Sequence, residues 1–280
     1  MGSTVADPAR VADDVDRALA EDVGSGDVTA SLIDEQRQAK AEVVCREDAV
    51  IAGRPWFTHT YARLDPALDI QWHADDGDRV TANSIVCVLS GAARSIVTGE
   101  RTALNFLQTL SGTATTTRAY ADALTGSQTR ILDTRKTVPG LRYAQKYAVR
   151  CGGGANHRMG LYDAVLVKEN HIAAAGGIGP AVRRLRKAQP PLQIEVEVET
   201  LSELEQALAA GADMVLLDNF SPAQTGAAVE LVAGRMKTEI SGNVELKSLA
   251  MLGALGADFI SVGALTKHVR AVDFSMLIRT

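Results

Sequence analysis

Residues 192–218 read LQIEVEVETLSELEQALAAGADMVLLD. Two short runs rich in β-branched and aliphatic residues, LQIEVEV and DMVLLD, flank the helix-like stretch LSELEQALAA. A strand, a helix and a second buried strand in that order predict a unit of parallel sheet. The same texture extends in both directions. From Gly126 onward the runs TRILD, AVLVK, KTEIS and DFISVG also read as strands, with AVRRLRKA, PAQTGAAVELVAG and LKSLAMLGAL as helices between the later ones. Six strands are placed in this way, and repeated β–α units of this kind predict an α/β barrel.

The polar residues fall where such a barrel builds its sites. Arg135/Lys136, Lys168, Glu197, Asp218, Ser241-Gly242 and Gly263-Ala264 each sit at or just past the end of a different predicted strand. In a parallel barrel those ends meet on one face. Within IEVEVE, a period of two puts Glu195, Glu197 and Glu199 on one side of the strand. Carboxylates facing a lumen are costly unless a cation, metal or hydroxyl pairs with them. The alternative is an edge strand with a wet face.

Partners of the right sign lie in residues 133–171, DTRKTVPGLRYAQKYAVRCGGGANHRMGLYDAVLVKENH. The stretch holds seven Lys/Arg against Asp133, Asp163 and Glu169, an excess of +4 in a chain of net charge −5, which leaves −9 for the remainder. Concentrated cations imply an anionic ligand, since Arg forks and Lys ammonium groups match carboxylate and phosphate oxygens. Arg142, Lys146 and Arg150 recur every four residues and read as a solvated helix stripe. Arg135, Lys136, His157, Arg158 and Lys168 stand instead at strand exits or beside the run Gly152-Gly153-Gly154, and these are the candidate ligand-binding residues.

Before Gly126 the texture differs. Val11, Val15, Ala18 and Leu19 share one face of a predicted helix that Gly24 and Gly26 end, with Asp27 placed to cap the next turn. The runs AEVVCR, LDIQW and SIVCVL predict strands of a β-rich first domain. His59 and His73 are isolated and read as structural or surface residues. Residues 94–126 are helical in pattern, and Ser111-Gly112 either divides them into two helices or marks a tight packing contact.

Composition sets the outer bounds. With 46% hydrophobic and 22% charged residues, the 280-residue chain is ordinary for a globular protein of two modest domains, or of one barrel with an appendage. A sequence pI near 5.6 argues against non-specific nucleic-acid binding. No apolar run approaches a membrane span, and the start is polar and acidic rather than a signal peptide. Cys45, Cys87 and Cys151 are odd in number and widely spaced, which suits buried thiols in a reducing, cytoplasmic setting rather than a disulfide or zinc framework.

The block DTRKTVPGLR, then GGGANHRMGLYDAVLVKENH, then SVGALT, together with EDVGSGDVT near the start, resembles the quinolinate phosphoribosyltransferases. These are the carboxylating nicotinate-nucleotide pyrophosphorylases, and the resemblance covers nearly the whole chain. It implies an α/β barrel, seven-stranded in the family, over residues 106–267, preceded by an N-terminal α+β open-sandwich domain over 1–105. Residues 268–280 are expected to pack back on the N-terminal domain. The seventh strand has no counterpart among the six placed here.

The resemblance also implies roles. The family joins quinolinate to 5-phosphoribosyl-1-pyrophosphate (PRPP), giving nicotinate mononucleotide, pyrophosphate and CO2. Arg135, His157 and Arg158 are expected to hold the two carboxylates of quinolinate. Arg101, in ERTALNFLQ, completes the pocket from the other subunit of a homodimer. Thr134, Lys136 and Lys168 contact substrate, the two lysines reaching both the PRPP phosphates and the pyridine diacid. Glu197 and Asp218 bind the ribose hydroxyls and a Mg2+ carried by the pyrophosphate; with Lys136 and Lys168 they form the expected catalytic set. Ser241-Gly242-Asn243 and Val262-Gly263-Ala264 cradle the 5-phosphate. No organic cofactor is implied.

Two departures stand out. The family's Ser-Gly-Gly is Ser241-Gly242-Asn243 here, and its Ala-Leu-Thr-His-Ser is Ala264-Leu265-Thr266-Lys267-His268, which leaves His268 without a role. The rival readings are the molybdenum-linked paralogue, which lacks the KENH form, and a nicotinate phosphoribosyltransferase, which handles one carboxylate. A non-catalytic phosphate-binding barrel has no need of Glu197 and Asp218 opposite a basic wall. The type I phosphoribosyltransferase fold requires paired acids that DMVLLDNF lacks.

Overall fold

The computed structural model of the chain describes residues 5–187 and 191–279. The first four residues, Thr280 and Ala188 at the end of the AVRRLRKA reading lie outside them. Helix α1 (Pro8–Asp22) starts on Asp7, whose carboxylate accepts the Ala9 N–H at 2.9 Å, with proline at the first turn where an amide hydrogen is not needed. Val11 and Val15 are buried, and Ala18 and Leu19 pack beside them. Asp27 then accepts the Ala30 N–H of a short 3-10 turn, Thr29–Leu32.

There follow β1 (Gln38–Cys45), β2 (Ala49–Val50), α2 (Arg54–Leu64), β3 (Asp69–Trp72), β4 (Arg79–Val80), β5 (Ser84–Ala92) and α3 (Ala93–Asp122). The second half runs β6 (Arg130–Leu132), α4 (Arg142–Cys151), β7 (Val165–Val167), α5 (Glu169–Ala175), α6 (Ile178–Arg186), β8 (Ile194–Val198), α7 (Leu201–Ala210) and β9 (Met214–Asp218). It ends with α8 (Pro222–Val232), β10 (Lys237–Ser241), α9 (Leu249–Gly253), β11 (Phe259–Ser261), α10 (Ala264–Lys267) and β12 (Phe274–Arg279).

The chain divides into two compact units. One takes the chain up to Arg118, Thr137–Gly153 and everything from Leu265; the other takes Ala119–Lys136 and Gly154–Ala264. The boundary at 105/106 that the resemblance implied lies inside what is here one continuous helix, α3. Composition changes at Gly126, but the chain crosses between units four times, and a scan of texture cannot register the return of residues 137–153.

The first unit is built on an antiparallel sheet of order β12-β1-β5-β3. Strand β12 pairs along β1 from Lys40↔Arg279 to Cys45↔Phe274, so the last strand of the chain closes the edge of the first unit's sheet. The inward residues Ala41, Val43 and Leu89 are fully buried beneath α2 and α3 with Phe57, Ile96 and Leu107. Ser111-Gly112 proves to be a packing contact. The Ser111 hydroxyl bonds both the N–H and the carbonyl of Ala52, and a Cβ on Gly112 would stand 2.2 Å from the Arg270 carbonyl oxygen. The stripe on α4 differs from its reading too. Lys146 is fully buried, Arg142 bonds the Thr137 hydroxyl at 3.0 Å and Arg150 lies over the Tyr147 ring. Charge spacing alone did not reveal that α4 is enclosed on most sides. All three cysteines are buried and unbridged, and burial pushes each thiol up from its ordinary range.

The second unit is a barrel-like parallel sheet of order β6-β11-β10-β9-β8-β7, with helices packed against it. Alternation along its strands sorts the residues. Ile194, Val196, Val198, Val215 and Leu217 pack with Val182, Leu204, Ala207 and Ala228 of α6, α7 and α8. Glu195 and Glu197 therefore face the opposite side of β8, which is an interior strand and not a wet edge. A seventh position exists as one residue. Ala155 bridges Leu132 in parallel on the outer side of β6, donating to Ile131 and accepting from Asp133. No described helix is long and apolar enough to cross a membrane.

Candidate active site

Because β6 through β11 are all parallel, their C-terminal ends share one edge of the sheet. Thr134, Arg135 and Lys136 follow β6, and Lys168 follows β7 directly. Glu197 is the penultimate residue of β8, while Asp218 and Ser241 end β9 and β10 opposite each other. Val262, Gly263 and Ala264 follow β11. Arg101 belongs to the first unit, exposed on α3.

The cationic members are held by local structure. Thr134 turns back to accept the Lys136 N–H at 3.0 Å. The Lys136 side chain runs over Gly263, where a Cβ would come within 2.8 Å of its Cδ and push the lysine off its present path. Lys168 pairs with Glu197 through Nζ, and its N–H donates to Nδ1 of His171, so the last residue of KENH fixes the first. Arg158 is partly buried; desolvation, then the neighbouring Arg135, pushes its guanidinium below the usual arginine range. Two guanidiniums close enough to feel each other favour a ligand with two anionic groups.

Behind Arg158 lies a buried polar cluster. Asp133, fully buried, accepts the His157 N–H at 2.9 Å and the Asn156 amide at 2.5 Å. Nε2 of His157 lies 2.9 Å from Glu195 and 3.5 Å from Glu239. Burial, followed by the Glu195 charge, pushes the Glu239 carboxyl up to about 8. The donor atoms of His157, Glu195 and Glu239 all fall within 4.8 Å of one another.

One of the phosphate-loop candidates turns through left-handed backbone. Gly242 stands at φ 97° and Asn243 at φ 44°, a region Asn enters more readily than most residues with a side chain. Asn219, at φ 55°, donates to Asp218 at 2.9 Å and sits against Gly242. Glu197 and Asp218 are two hard-oxygen donors on adjacent strands, a set that suits Mg2+ shared with phosphate oxygens.

Sequence reasoning singled out the strand-end residues but missed Asp133, Glu239, Asn219 and His171. A lone acid in KTEIS and a side chain bonding its own turn carry no periodic signal. An asparagine directly after Asp218, at a strand exit, was the one available hint of a positive-φ residue.

Two family models match: the quinolinate phosphoribosyl transferase N-terminal domain over residues 27–111 and its C-terminal domain over residues 113–277. The chain is 43% identical over 284 residues to the chloroplastic carboxylating nicotinate-nucleotide pyrophosphorylase of Arabidopsis thaliana, covering 94% of this chain and 81% of that protein. Its fold matches the solved nicotinate-nucleotide pyrophosphorylase from Francisella tularensis at a TM-score of 0.95 and 45% identity, over 99% of this chain and 98% of that one. NadC from Streptococcus pyogenes matches at 0.95 and 42%, over 98% of each chain. The chain belongs to the quinolinate phosphoribosyltransferase family.

Proposed function

We infer that this chain transfers the phosphoribosyl group of PRPP to quinolinate with loss of CO2, yielding nicotinate mononucleotide and pyrophosphate. The observation that carries this is the sharing of one sheet edge by Arg135, Lys136 and Lys168 with Glu197 and Asp218. Two polyanionic substrates need the cations, and a sugar developing oxocarbenium charge needs the carboxylates.

Arg135 and Arg158 grip the two quinolinate carboxylates, with His157 behind them and Lys136 and Lys168 reaching diacid and phosphates. Thr134 orients Lys136. Glu197 and Asp218 hold the ribose hydroxyls, so they strengthen their grip as C1 turns cationic and pyrophosphate leaves with the bonding electron pair. The pyridine nitrogen then bonds to C1 and becomes cationic. The adjacent C2 carboxylate departs as CO2, its electron pair stays on C2 beside the positive nitrogen, and a proton from the site completes the ring. The arginines hold that carboxylate firmly enough to orient it, but a tighter ground-state grip than that slows its departure. The loops Ser241-Gly242-Asn243 and Val262-Gly263-Ala264 take the 5-phosphate on backbone N–H groups. Mg2+ bound with pyrophosphate would rest on Glu197 and Asp218 and neutralise leaving-group charge.

The working form is a homodimer in which Arg101 reaches the partner's site, in a reducing cytoplasmic compartment consistent with three unbridged thiols. Arg158→Lys tests the diacid reading. Lysine keeps the charge and loses the fork, so quinolinate kcat/KM falls by about 1.5–3 kcal/mol. Kinetics equal to the parent remove Arg158 from the site.

A further inference from the structure

Glu195 and Glu239 carry carboxyl groups that this chemistry leaves unused, and both are buried. Glu195 shares the inner face of β8 with Glu197, and Glu239 projects from β10 into the space between Glu195, Ser261 and His157; Oε1 of Glu195 has no hydrogen-bond partner. Burying such groups is expensive unless they are hydrogen-bonded or paired. What they face is Nε2 of His157.

The other ring nitrogen fixes where the proton sits. Nδ1 of His157 accepts the backbone N–H of Arg158 at 2.7 Å, so it carries a lone pair and the ring hydrogen is on Nε2, aimed at Glu195. In the opposite tautomer two N–H groups would meet head-on at Arg158. Asp133 clamps the same turn from the far side through the His157 N–H. With Nε2 turned to the two glutamates and Nδ1 to the main chain, the imidazole directs both its nitrogens into the protein. Arg158 itself needs restraint, because Arg135 repels it while Glu195 attracts it.

We propose that Glu195, with Glu239 beside it, is a positioning residue that locks His157 in its Nε2–H tautomer, and that this tautomer, through its Nδ1 acceptor, sets the backbone from which Arg158 reaches the diacid. This rests on Arg158 being a quinolinate ligand, but the tautomer itself does not.

The test has a spectroscopic and a kinetic arm. In 15N-histidine-labelled protein, long-range 1H–15N correlation, assigned by loss of the peak in His157→Gln, is expected to show a neutral Nε2–H ring at His157. A ring protonated at Nδ1 overturns the proposal whether or not any variant folds. Glu195→Gln keeps a carbonyl acceptor and is expected to retain the tautomer, with quinolinate KM within about threefold of the parent. Glu195→Leu removes the acceptor. Its quinolinate KM is expected to rise at least about tenfold, the size of one hydrogen bond to a charged group, while PRPP KM stays level. An unchanged quinolinate KM in folded Glu195→Leu, or an equal rise for both substrates, refutes positioning. If Glu195→Leu does not fold, Glu239→Gln takes its place. It puts an amide 3.5 Å from Nε2, and the ring is expected to keep its Nε2–H form with Glu195 alone; a switch to Nδ1–H also counts against the assignment. Should Arg158→Lys leave quinolinate KM untouched while the Nε2–H ring is present, the diacid reading fails and the tautomer lock stands.

Discussion

Asn219 donates from Nδ2 to Asp218 Oδ2 at 2.9 Å, and its own Oδ1 stands where a side chain on Gly242 would begin, 2.1 Å from an ideal Cβ. One side chain thus aims a carboxylate on β9 and shapes the loop after β10. Its backbone N–H closes the junction by donating to Ser241 O at 3.0 Å.

Replacing Asn219 separates its side-chain role from the backbone it occupies. Asn219→Gly tolerates φ 55° but loses both the bond to Asp218 and the contact with Gly242, so kcat is expected to fall with quinolinate KM nearly level, the pattern of an interaction stronger in the transition state. Asn219→Ala adds a backbone cost of roughly 1–2 kcal/mol for a side chain in the left-handed region. Urea titration and steady-state kinetics on both variants check this; equal stability of the two removes the backbone argument.

Two glycines in helices should respond oppositely to alanine. Gly112 meets the Arg270 carbonyl at 2.2 Å from an ideal Cβ, and main chain cannot swing aside, so Gly112→Ala is expected to cost about 1–3 kcal/mol. Gly226, inside α8, has nothing within 4 Å. Gly226→Ala should stabilise by about 0.8–1 kcal/mol through helix propensity. Chemical denaturation of each variant decides, and a loss at Gly226 contradicts the packing described.

The contrast between those two positions shows what a linear sequence conveys. The strand ends were legible because apolar runs give way to polar residues after Leu132, Val167 and Leu217, and period two placed Glu195 with Glu197. Ala155 was not legible, since a strand position of one bridged residue has no run to detect. Nor was the burial of Lys146, because a four-residue charge spacing describes a helix face without saying what covers it. Glu239 is a single acid among apolar and β-branched neighbours, and its pairing with His157 is set by the sheet, 82 positions away along the chain.

Acid–base linkage at Glu239 has a definite sign. Its carboxyl titrates at about 8 in the fold against 4.5 when exposed. Below pH 4.5 folded and unfolded chains both carry the proton, and the group adds no pH dependence. Between 4.5 and 8 the unfolded chain gives the proton up while the folded chain keeps it, so stability falls as pH rises through that window. Glu239→Gln cannot titrate. Its urea midpoint relative to the parent is expected to improve steadily across the same range, and parallel pH profiles would contradict the assignment.

The proposal that Arg101 acts in trans makes a stoichiometric prediction. Arg101→Ala and Lys136→Ala are each expected to be inactive as homodimers. Mixed in equal amounts with free exchange, about half the dimers are mixed and each regains one intact site, so about a quarter of parental activity returns. Demonstrated exchange with no recovery means that Arg101 acts within its own chain or outside the site.

The most direct measurement follows CO2 from quinolinate labelled at its C2 carboxylate, with the purified chain, PRPP and Mg2+. The expected result is labelled CO2, pyrophosphate and nicotinate mononucleotide in equal amounts, all dependent on PRPP, with little mononucleotide formed when nicotinate replaces quinolinate. Mononucleotide from nicotinate with no CO2 from quinolinate would contradict it.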